Sequence, residues 1–336
     1  MHIDREKAAL IYKEDKMINK ERALWIYTKM HEIRDFEERV YRLFEENKLR
    51  GSVHLYTGEE AIAATVCSTL TDEDYITSTH RGHGHCIAKG AELPEALAEL
   101  MGKATGYCKG RGGSMHIADL SKGNLGANAI VGGGIPIAVG SALAQKMQKK
   151  QNVSVSFFGN GASNEGTFHE ALNMASVWKV PIIFICENNG YGISVPESQS
   201  TSVKDISVRA KAYDMPGYTV DGNDVVEIDK VFMEAKERAL RGEGPTLIEC
   251  KTQRWRGHWT GDPQTYRPKG EVEEWKKKCP IKRFGNWMIE QGYATQEELD
   301  AISADAAERM EKAVEFSLNS PEPDPAGVMD DVFYEG

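Results

Sequence analysis

Two short apolar runs constrain this chain more than any other feature. Residues 153–158 (VSVSFF) and 180–186 (VPIIFIC) are dense in β-branched and aromatic side chains, and each is too short for a buried helix. Between them, residues 165–178 have the composition of a helix. Two such strands around one helix predict a βαβ unit in a parallel sheet covered on both faces. The alternation returns downstream, where residues 225–241 read as a helix and 246–251 (TLIECK) as a strand. Strands alternating with helices define an α/β fold, here a doubly wound and mostly parallel sheet. Right-handed crossovers place the loops that follow the strands on one edge of that sheet. Ligands bind at that edge in such folds.

The flanks read as helical. Residues 19–47 repeat Leu24, Tyr27, Ile33, Phe36, Val40 and Leu43 at mostly three- or four-residue spacing, which predicts an amphipathic helix. Residues 58–70 and 93–105 predict two more, and the His- and Gly-rich stretch 77–90 between them predicts a loop. Thr295-Gln-Glu-Glu298 has the spacing of a capping box. The helix it opens is expected to run to about Leu318 and give way to an SPEPDP tail. No repeat or linker divides the chain. Residues 1–336 are therefore expected to form one domain: a core over about 50–260, a helical extension at 19–47, and helices with a tail at 270–336.

Composition removes several classes of function. A formal net charge of −10 is at odds with the phosphate neutralisation that nucleic-acid binding needs. The six cysteines include no CxxC pair, so neither a zinc site nor a disulfide framework is expected, and reduced thiols in the cytoplasm are. The opening MHIDREKAALIYKEDK lacks the apolar centre of a signal peptide. The uncharged run 125–144 is long enough to cross a bilayer. Its glycines, Asn, Pro and serines predict a buried loop and helix instead.

Generic phosphate loops fit poorly. Gly159-Asn160-Gly161-Ala162-Ser163-Asn164 lacks the third glycine of a dinucleotide loop, and a Walker-type reading of 161–167 meets Thr167 where a Lys belongs. What stands there is more specific. The first strand ends in GNGASNEG (159–166) and the second in ENNGYG (187–192), so two successive strand ends bring amide oxygens and glycines to one edge. Glycine lets backbone approach a ligand closely, and a helix N-terminus favours an anion. Amide and carbonyl oxygens suit a hard cation such as Mg²⁺, which commonly sits with substrate phosphates. This is the pattern of a magnesium–diphosphate site. Two polar turns after buried strands would use the same residue types, and the residues alone leave both readings open.

Six segments decide between them by resemblance: GSVHLYTGEEA (51–61), ITSTHRGHGHCIAKG (76–90), GYCKGRGGSMHIADL (106–120), LGANAIVGGGIP (125–136), FFGNGASNEGTFHEALNMASVWKVPIIFICENNGYG (157–192) and TLIECKTQRWRGHWTGDPQTYR (246–267). In these, over about residues 20–320, the chain resembles the α subunit of the dehydrogenase component of 2-oxo acid and acetoin dehydrogenase complexes. The resemblance implies a thiamine diphosphate-binding fold with the cofactor held through Mg²⁺. Asn160, Asn189 and the Tyr191 carbonyl match the metal ligands, and Gly161 and Ala162 match backbone contacts to the diphosphate. His80 and Arg81 match positions that hold the diphosphate from the other side, and His258 a histidine that reaches toward it and the reacting centre. Ala129 and Val131 match backbone contacts to the aminopyrimidine, Ile193 the apolar wedge that keeps the cofactor bent, and His54 a histidine near the substrate. His54 and His258 are the catalytic candidates, since imidazoles exchange protons near neutral pH.

The resemblance also implies partners. A separate β chain would complete the site, with its own catalytic Glu, in a heterotetramer of two α and two β chains. The acetyl unit would pass to a lipoyl group of an acyltransferase component. THRGHGHCIAKG, HIADLSKGNLGAN and GASNEGTFHE look more like acetoin-type than pyruvate-type chains, which makes acetoin the expected substrate and pyruvate the alternative. The glycine-rich loop 109–113 is expected to line the active-site channel, and segments 198–213 and 258–267 to order when the cofactor binds.

Two positions depart from the family pattern. Asn160 stands where the motif has Asp; it keeps a carbonyl oxygen but removes a negative charge, which predicts weaker Mg²⁺ binding. A cofactor-poor chain that serves in assembly with β is the reading of another class that this substitution raises. Trp259 stands where the mammalian pyruvate-type relatives have a phosphorylatable Ser after the matching histidine, so control there is excluded. The loop His80-Arg-Gly-His-Gly-His85 also admits a metal cluster; structural and catalytic roles for His83 and His85 stay open, while His31 and His169 read as ordinary helix residues.

Overall fold

The computed structural model describes residues 18–49 and 51–333; the opening segment read above lies outside them. Five parallel strands form the central sheet, in the order β1 (Tyr75–Thr77), β2 (Ser154–Gly159), β3 (Ile182–Asn188), β7 (Thr246–Lys251) and β6 (Gly217–Asp221). A two-residue hairpin, β4 (Tyr191–Gly192) and β5 (Val195–Pro196), lies apart from it. The mostly parallel α/β sheet anticipated from the apolar runs is present.

Alternation along the strands explains why both faces of the runs are buried, Ser154 and Ser156 included. Phe158, Ile182, Phe184, Cys186 and Leu247 join one buried cluster with Ile135, Val139, Phe168 and Leu172. The last four come from α5 (Gly134–Met147) and α6 (Gly166–Trp178). Val155, Phe157, Ile183, Ile185, Ile248 and Cys250 join the cluster on the opposite face. That face is covered by α1 (Lys20–Glu45), α2 (Glu60–Cys67) and α8 (Val225–Leu240). Burial of both faces leaves no solvated side on which polar residues could alternate. Arg22 of α1 ties this layer together: it pairs with Asp229 of α8, and its Nε donates to Ser68 Oγ at 2.9 Å.

The remaining helices are α3 (His83–Ala88), α4 (Leu93–Leu100), α7 (Glu197–Ser200), α9 (Glu271–Lys276), α10 (Pro280–Glu290) and α11 (Gln296–Asn319). The capping box on α11 forms as its sequence predicts, with Thr295 and Glu298 bonded reciprocally. Two expectations are corrected. The stretch 77–90 is not all loop, because α3 occupies its centre. The third helix stops at Leu100 rather than running to 105; Met101 caps it, and Gly102 then turns left-handed with φ +70°. Residues 125–144 form the loop and buried helix expected of them, and no helix among the described residues is long and apolar enough to cross a membrane.

The glycine-rich loop 109–113 does not line the cavity described below. Glu99 of α4 holds it: one carboxylate oxygen accepts the amides of Cys108 and Gly110 at 2.8 and 2.9 Å, the other those of Gly112 and Gly113 at 2.7 and 3.0 Å. Its outer side meets the tail, where Arg111 Nη2 donates to the Gly327 carbonyl at 2.5 Å.

Gly84 lets α3 lie flat against Tyr56. A Cβ at this position would sit 2.2 Å from Tyr56 Cδ1, and Tyr56 is fully buried. Gly84→Ala is expected to destabilise the chain by about 1–3 kcal/mol through overpacking, despite the better helix propensity of Ala. Thermal or urea unfolding checks this; a variant as stable as the parent contradicts it.

Candidate active site

The site begins with register. Gly159 pairs with Glu187 across β2 and β3, so the two strands end level. Asn160, the next residue, opens a 3-10 turn (Asn160–Asn164) closed by Ser163 Oγ on the Asn160 carbonyl at 2.7 Å. Asn189 follows β3, and Tyr191 starts the β4–β5 hairpin. Asn160 and Asn189 are both buried. Asn189 Nδ2 donates to Glu59 Oε1 at 2.9 Å, whereas Asn160 Nδ2 is buried with no partner.

A second wall comes from the loop after β1, which supplies His80 and Arg81. The Arg81 guanidinium donates to the carbonyls of Leu55 at 2.5 Å and His258 at 3.0 Å. A third wall is two paired segments: Trp255 N donates to the Thr57 carbonyl at 2.9 Å, and Thr260 N to the Val53 carbonyl at 3.0 Å. That pairing places His54 beside His258. The rings of His54, His80 and His258 lie edge-on or tilted, with centroids 4.9, 4.9 and 5.2 Å apart.

All twelve residues singled out in the sequence line one cavity of about 430 Å³: His54, His80, Arg81, Ala129, Val131, Asn160, Gly161, Ala162, Asn189, Tyr191, Ile193 and His258. The volume lies within the range of small-molecule sites. Sequence reasoning missed Glu59, Glu187 and Arg254 on the same wall. Glu59 and Arg254 stand inside quoted segments (LYTGEEA, TQRWRGH), but a buried charge cannot be told from a surface one by its neighbours in sequence.

The metal-cluster reading of the loop 80–85 is corrected by the direction of its rings. His83 lies between Glu37 (Nδ1 at 3.1 Å from both carboxylate oxygens) and Ser114 Oγ (2.9 Å from Nε2). His85 lies between Ser78 Oγ at 2.7 Å and Glu187 Oε1 at 2.9 Å. Both rings are buried and have partners at both nitrogens, a structural arrangement. His80 alone turns to the cavity. His31 and His169 sit on helices as expected, His169 with its Nδ1 2.5 Å from the Tyr213 hydroxyl.

Electrostatics divide the cavity into two regions. Burial, and then the positive charge of Arg81, push His54 down to about 3 and His258 down to about 4, and hold His80 well below the usual imidazole range. The three imidazoles are therefore neutral at pH 7. Burial lowers Arg81 to about 10, which leaves it cationic. Burial and then the Glu187 charge raise Glu59, whose Oε2 lies 3.9 Å from Arg81 Nε, to about 7. The guanidinium with neutral ring N–H groups suits an anion with several oxygens. The amide oxygens of Asn160 and Asn189 and the Tyr191 carbonyl suit a hard cation.

Segments that frame the mouth are clipped to this core. Arg209, in the 3-10 helix Ile206–Tyr213, donates to the Ser163 carbonyl and, at 2.9 Å, to Asn164 Oδ1. Arg254 donates to the Ile193 carbonyl at 2.6 Å and to the Tyr266 hydroxyl at 2.8 Å; Tyr266 in turn donates to Asp262 at 2.6 Å.

Comparison with known proteins identifies the family. The sequence model of the family "Dehydrogenase E1 component" matches residues 28–326. The chain is 53% identical, over 96% of its length and 97% of the relative's, to the alpha subunit of acetoin:2,6-dichlorophenolindophenol oxidoreductase of Bacillus subtilis. It is 46% identical, over 94% and 95%, to the subunit of the same name in Cupriavidus necator. It is 40% identical, over 97% of its own length and 79% of the relative's, to a chloroplastic pyruvate dehydrogenase E1 component subunit alpha of Oryza sativa. The chain therefore belongs to the dehydrogenase E1 component family, as an α chain of a thiamine diphosphate-dependent oxidoreductase component.

Proposed function

We propose that this chain is the α subunit of an acetoin-cleaving dehydrogenase component that works with a separate β chain and passes an acetyl unit to a lipoyl acyltransferase. One observation carries the reading: residues from all six segments of the family resemblance line a single cavity of about 430 Å³. The identity to acetoin-named subunits, above that to pyruvate-named ones, supports acetoin.

The residues fit the implied cofactor. The unpartnered Asn160 amide, the buried Arg81 fork and the neutral rings are donors and acceptors still to be used. Asn160, Asn189 and the Tyr191 carbonyl would hold Mg²⁺, which needs oxygen ligands. Gly161 and Ala162 would present backbone amides to the diphosphate, with His80, Arg81 and His258 on its other side. Ala129 and Val131 would meet the aminopyrimidine. When bound, thiamine diphosphate supplies the reactive carbon and the electron sink for cleavage next to a carbonyl.

The chain's own residues bind and orient. Ile193 is held with its apolar side chain exposed at the cavity rim, where it would wedge the cofactor into a bent form. His54 and His258, held neutral with pKa values lowered to about 3 and about 4, can donate or accept a hydrogen bond at a substrate oxygen. The lowered values run against the expectation that they exchange protons near neutral pH, where a general acid or base works best. Glu59 accepts from the Asn189 amide, so Nδ2 faces Glu59; Oδ1, which accepts only a long 3.4 Å bond from the Tyr191 amide, keeps a lone pair that would meet the cation.

Three outcomes are expected. Asn160→Asp restores a negative charge beside the cation and should tighten magnesium-dependent cofactor binding about tenfold, or about 1.4 kcal/mol. Titration calorimetry checks this, and unchanged or weaker binding overturns the charge argument. If neither chain takes up cofactor at saturating Mg²⁺, the assembly role is favoured instead. Reconstituted with β and an artificial electron acceptor, the complex should turn over acetoin faster than pyruvate, and the α chain alone neither; turnover without β contradicts the reading. Limited proteolysis should slow within residues 198–213 and 258–267 when cofactor and Mg²⁺ are present, and equal rates would count against ordering of those segments by the cofactor.

A further inference from the structure

Among the described residues, His54, His80 and His258 form a cluster able to hold a metal ion, with one ligand nitrogen from each lying within 4.8 Å of the others. They come from three segments far apart in sequence. Three imidazoles around one tetrahedral ion, at metal–nitrogen distances of about 2.0–2.1 Å, have ring centroids about 5 Å apart. The observed spacings of 4.9, 4.9 and 5.2 Å match that value, and the ligand nitrogens, within 4.8 Å of one another, would need small ring rotations to reach the roughly 3.3 Å separation of a tetrahedral set. Two of the ring nitrogens, His54 Nδ1 and His80 Nε2, are buried without a hydrogen-bond partner. A buried imidazole nitrogen left unpartnered in a polar cavity is a vacant ligand position.

We propose that His54, His80 and His258 form a second metal site, which takes one zinc-class divalent ion in the cofactor-free chain and is closed to that ion once the diphosphate is bound. The site stands on the geometry of the three rings; only the mutual exclusion rests on the cofactor reading above.

Ligand chemistry separates this site from the oxygen set. Imidazole suits Zn²⁺, Co²⁺, Ni²⁺ and Cu²⁺, whereas Mg²⁺ takes carboxylate, carbonyl and water oxygens. The oxygen donors Asn160, Asn189 and Tyr191 follow β2 and β3, whereas the three rings come from other segments of the same lining. One cavity thus sorts two classes of cation. Metal ligation requires neutral imidazole, and these rings are neutral at pH 7 because of burial and of Arg81. The same Arg81, with Arg254 beyond it, opposes a bare dication. The fourth ligand is accordingly an anion, hydroxide or chloride, and the bound unit carries a reduced charge.

Cobalt(II) is the probe, because tetrahedral Co²⁺ shows intense visible bands that octahedral Co²⁺ lacks. The full chain, stripped of cofactor, is titrated with Co²⁺. Expected are tetrahedral bands saturating at one ion per chain, removal of the bands by thiamine diphosphate with Mg²⁺, and competition by Zn²⁺. Loss of an outer-layer partner already weakens metal sites about 10–100-fold. His80→Gln and His258→Gln should each weaken Co²⁺ binding by about 100-fold or more, with thermal unfolding showing both variants folded. His169→Ala, an exposed histidine outside the cluster, should bind like the parent. Absence of tetrahedral bands in the parent chain, or bands that survive in both Gln variants, overturns the site. Bands that form normally but persist at saturating thiamine diphosphate and Mg²⁺ overturn the exclusion and leave the site standing. Failure of the chain to bind thiamine diphosphate at all is a separate result, read by calorimetry without cobalt, and bears on the cofactor assignment alone.

Discussion

Everything functional in this molecule depends on the burial of β2, β3 and β7 from both sides. Phe158, Phe184 and Leu247 pack under α5 and α6, while Phe157, Ile185 and Ile248 pack under the α1, α2 and α8 layer. Strands so enclosed carry their polar chemistry at their ends. Because Gly159 is level with Glu187, and Asn188 with Lys251, three strand ends open onto the same space. Asn160, Asn189 and Arg254 follow from that register. A slip of one residue in β2 would turn Phe158 to the wrong layer and move Asn160 off the edge.

The cavity then brings together charges that would be costly alone. Arg81 is buried, and its guanidinium is met by two backbone carbonyls and, at 3.9 Å, by Glu59. Glu59 and Glu187 are buried as well, and they bear on each other. An isolated buried ion of either sign is strongly disfavoured. Here Arg81 and Glu59 stand within ion-pair distance and offset each other in part, while Glu187, of like charge, bears on Glu59 in the opposite sense. These few charges sit in a lining that is otherwise largely apolar, with Ile130, Val131, Ile135, Phe157 and Phe158 among its residues.

Much of this was legible in the sequence, for definable reasons. Residues 153–158 and 180–186 announce buried strands because they are short and dense in β-branched and aromatic side chains, with only the small Ser154 and Ser156 polar, and glycines after each strand mark where backbone must meet a ligand. His80, Arg81, Asn160 and Asn189 come together because loops after parallel strands share an edge, whereas His54 is brought in by the pairing of its segment with residues 255–260. β1 and β6 were not legible: β1 has three residues, and GYTVD in β6 mixes types that also occur in turns. Nor was α3, since HGHCIA carries a glycine and two histidines and owes its helical form to packing on Tyr56 rather than to propensity. The loop 109–113 looked like a channel lining because glycine is what a close ligand approach requires. A carboxylate that accepts four amides requires the same freedom, and Glu99 is that carboxylate.

Ile193 shows why the last part of a site escapes a reading of residue types. It has φ 57°, in the left-handed region, where a β-branched side chain is strained by about 1–3 kcal/mol. Propensity alone would put Gly or Asn there. Such a conformation persists only where its surroundings over-determine it, and they do: Arg254 clamps the Ile193 carbonyl, while β4 and β5 pin the residues on either side. Arg254 is itself fixed by Tyr266, and Tyr266 by Asp262, which also accepts the His258 amide at 2.6 Å. The strain at one apolar residue on the cavity rim is therefore coupled, through four hydrogen bonds, to the backbone of a histidine on the opposite wall. That coupling makes the rim and the histidine wall one mechanical unit. The placement of Ile193 is thus a property of the whole loop 254–266 rather than of the turn in which the residue stands.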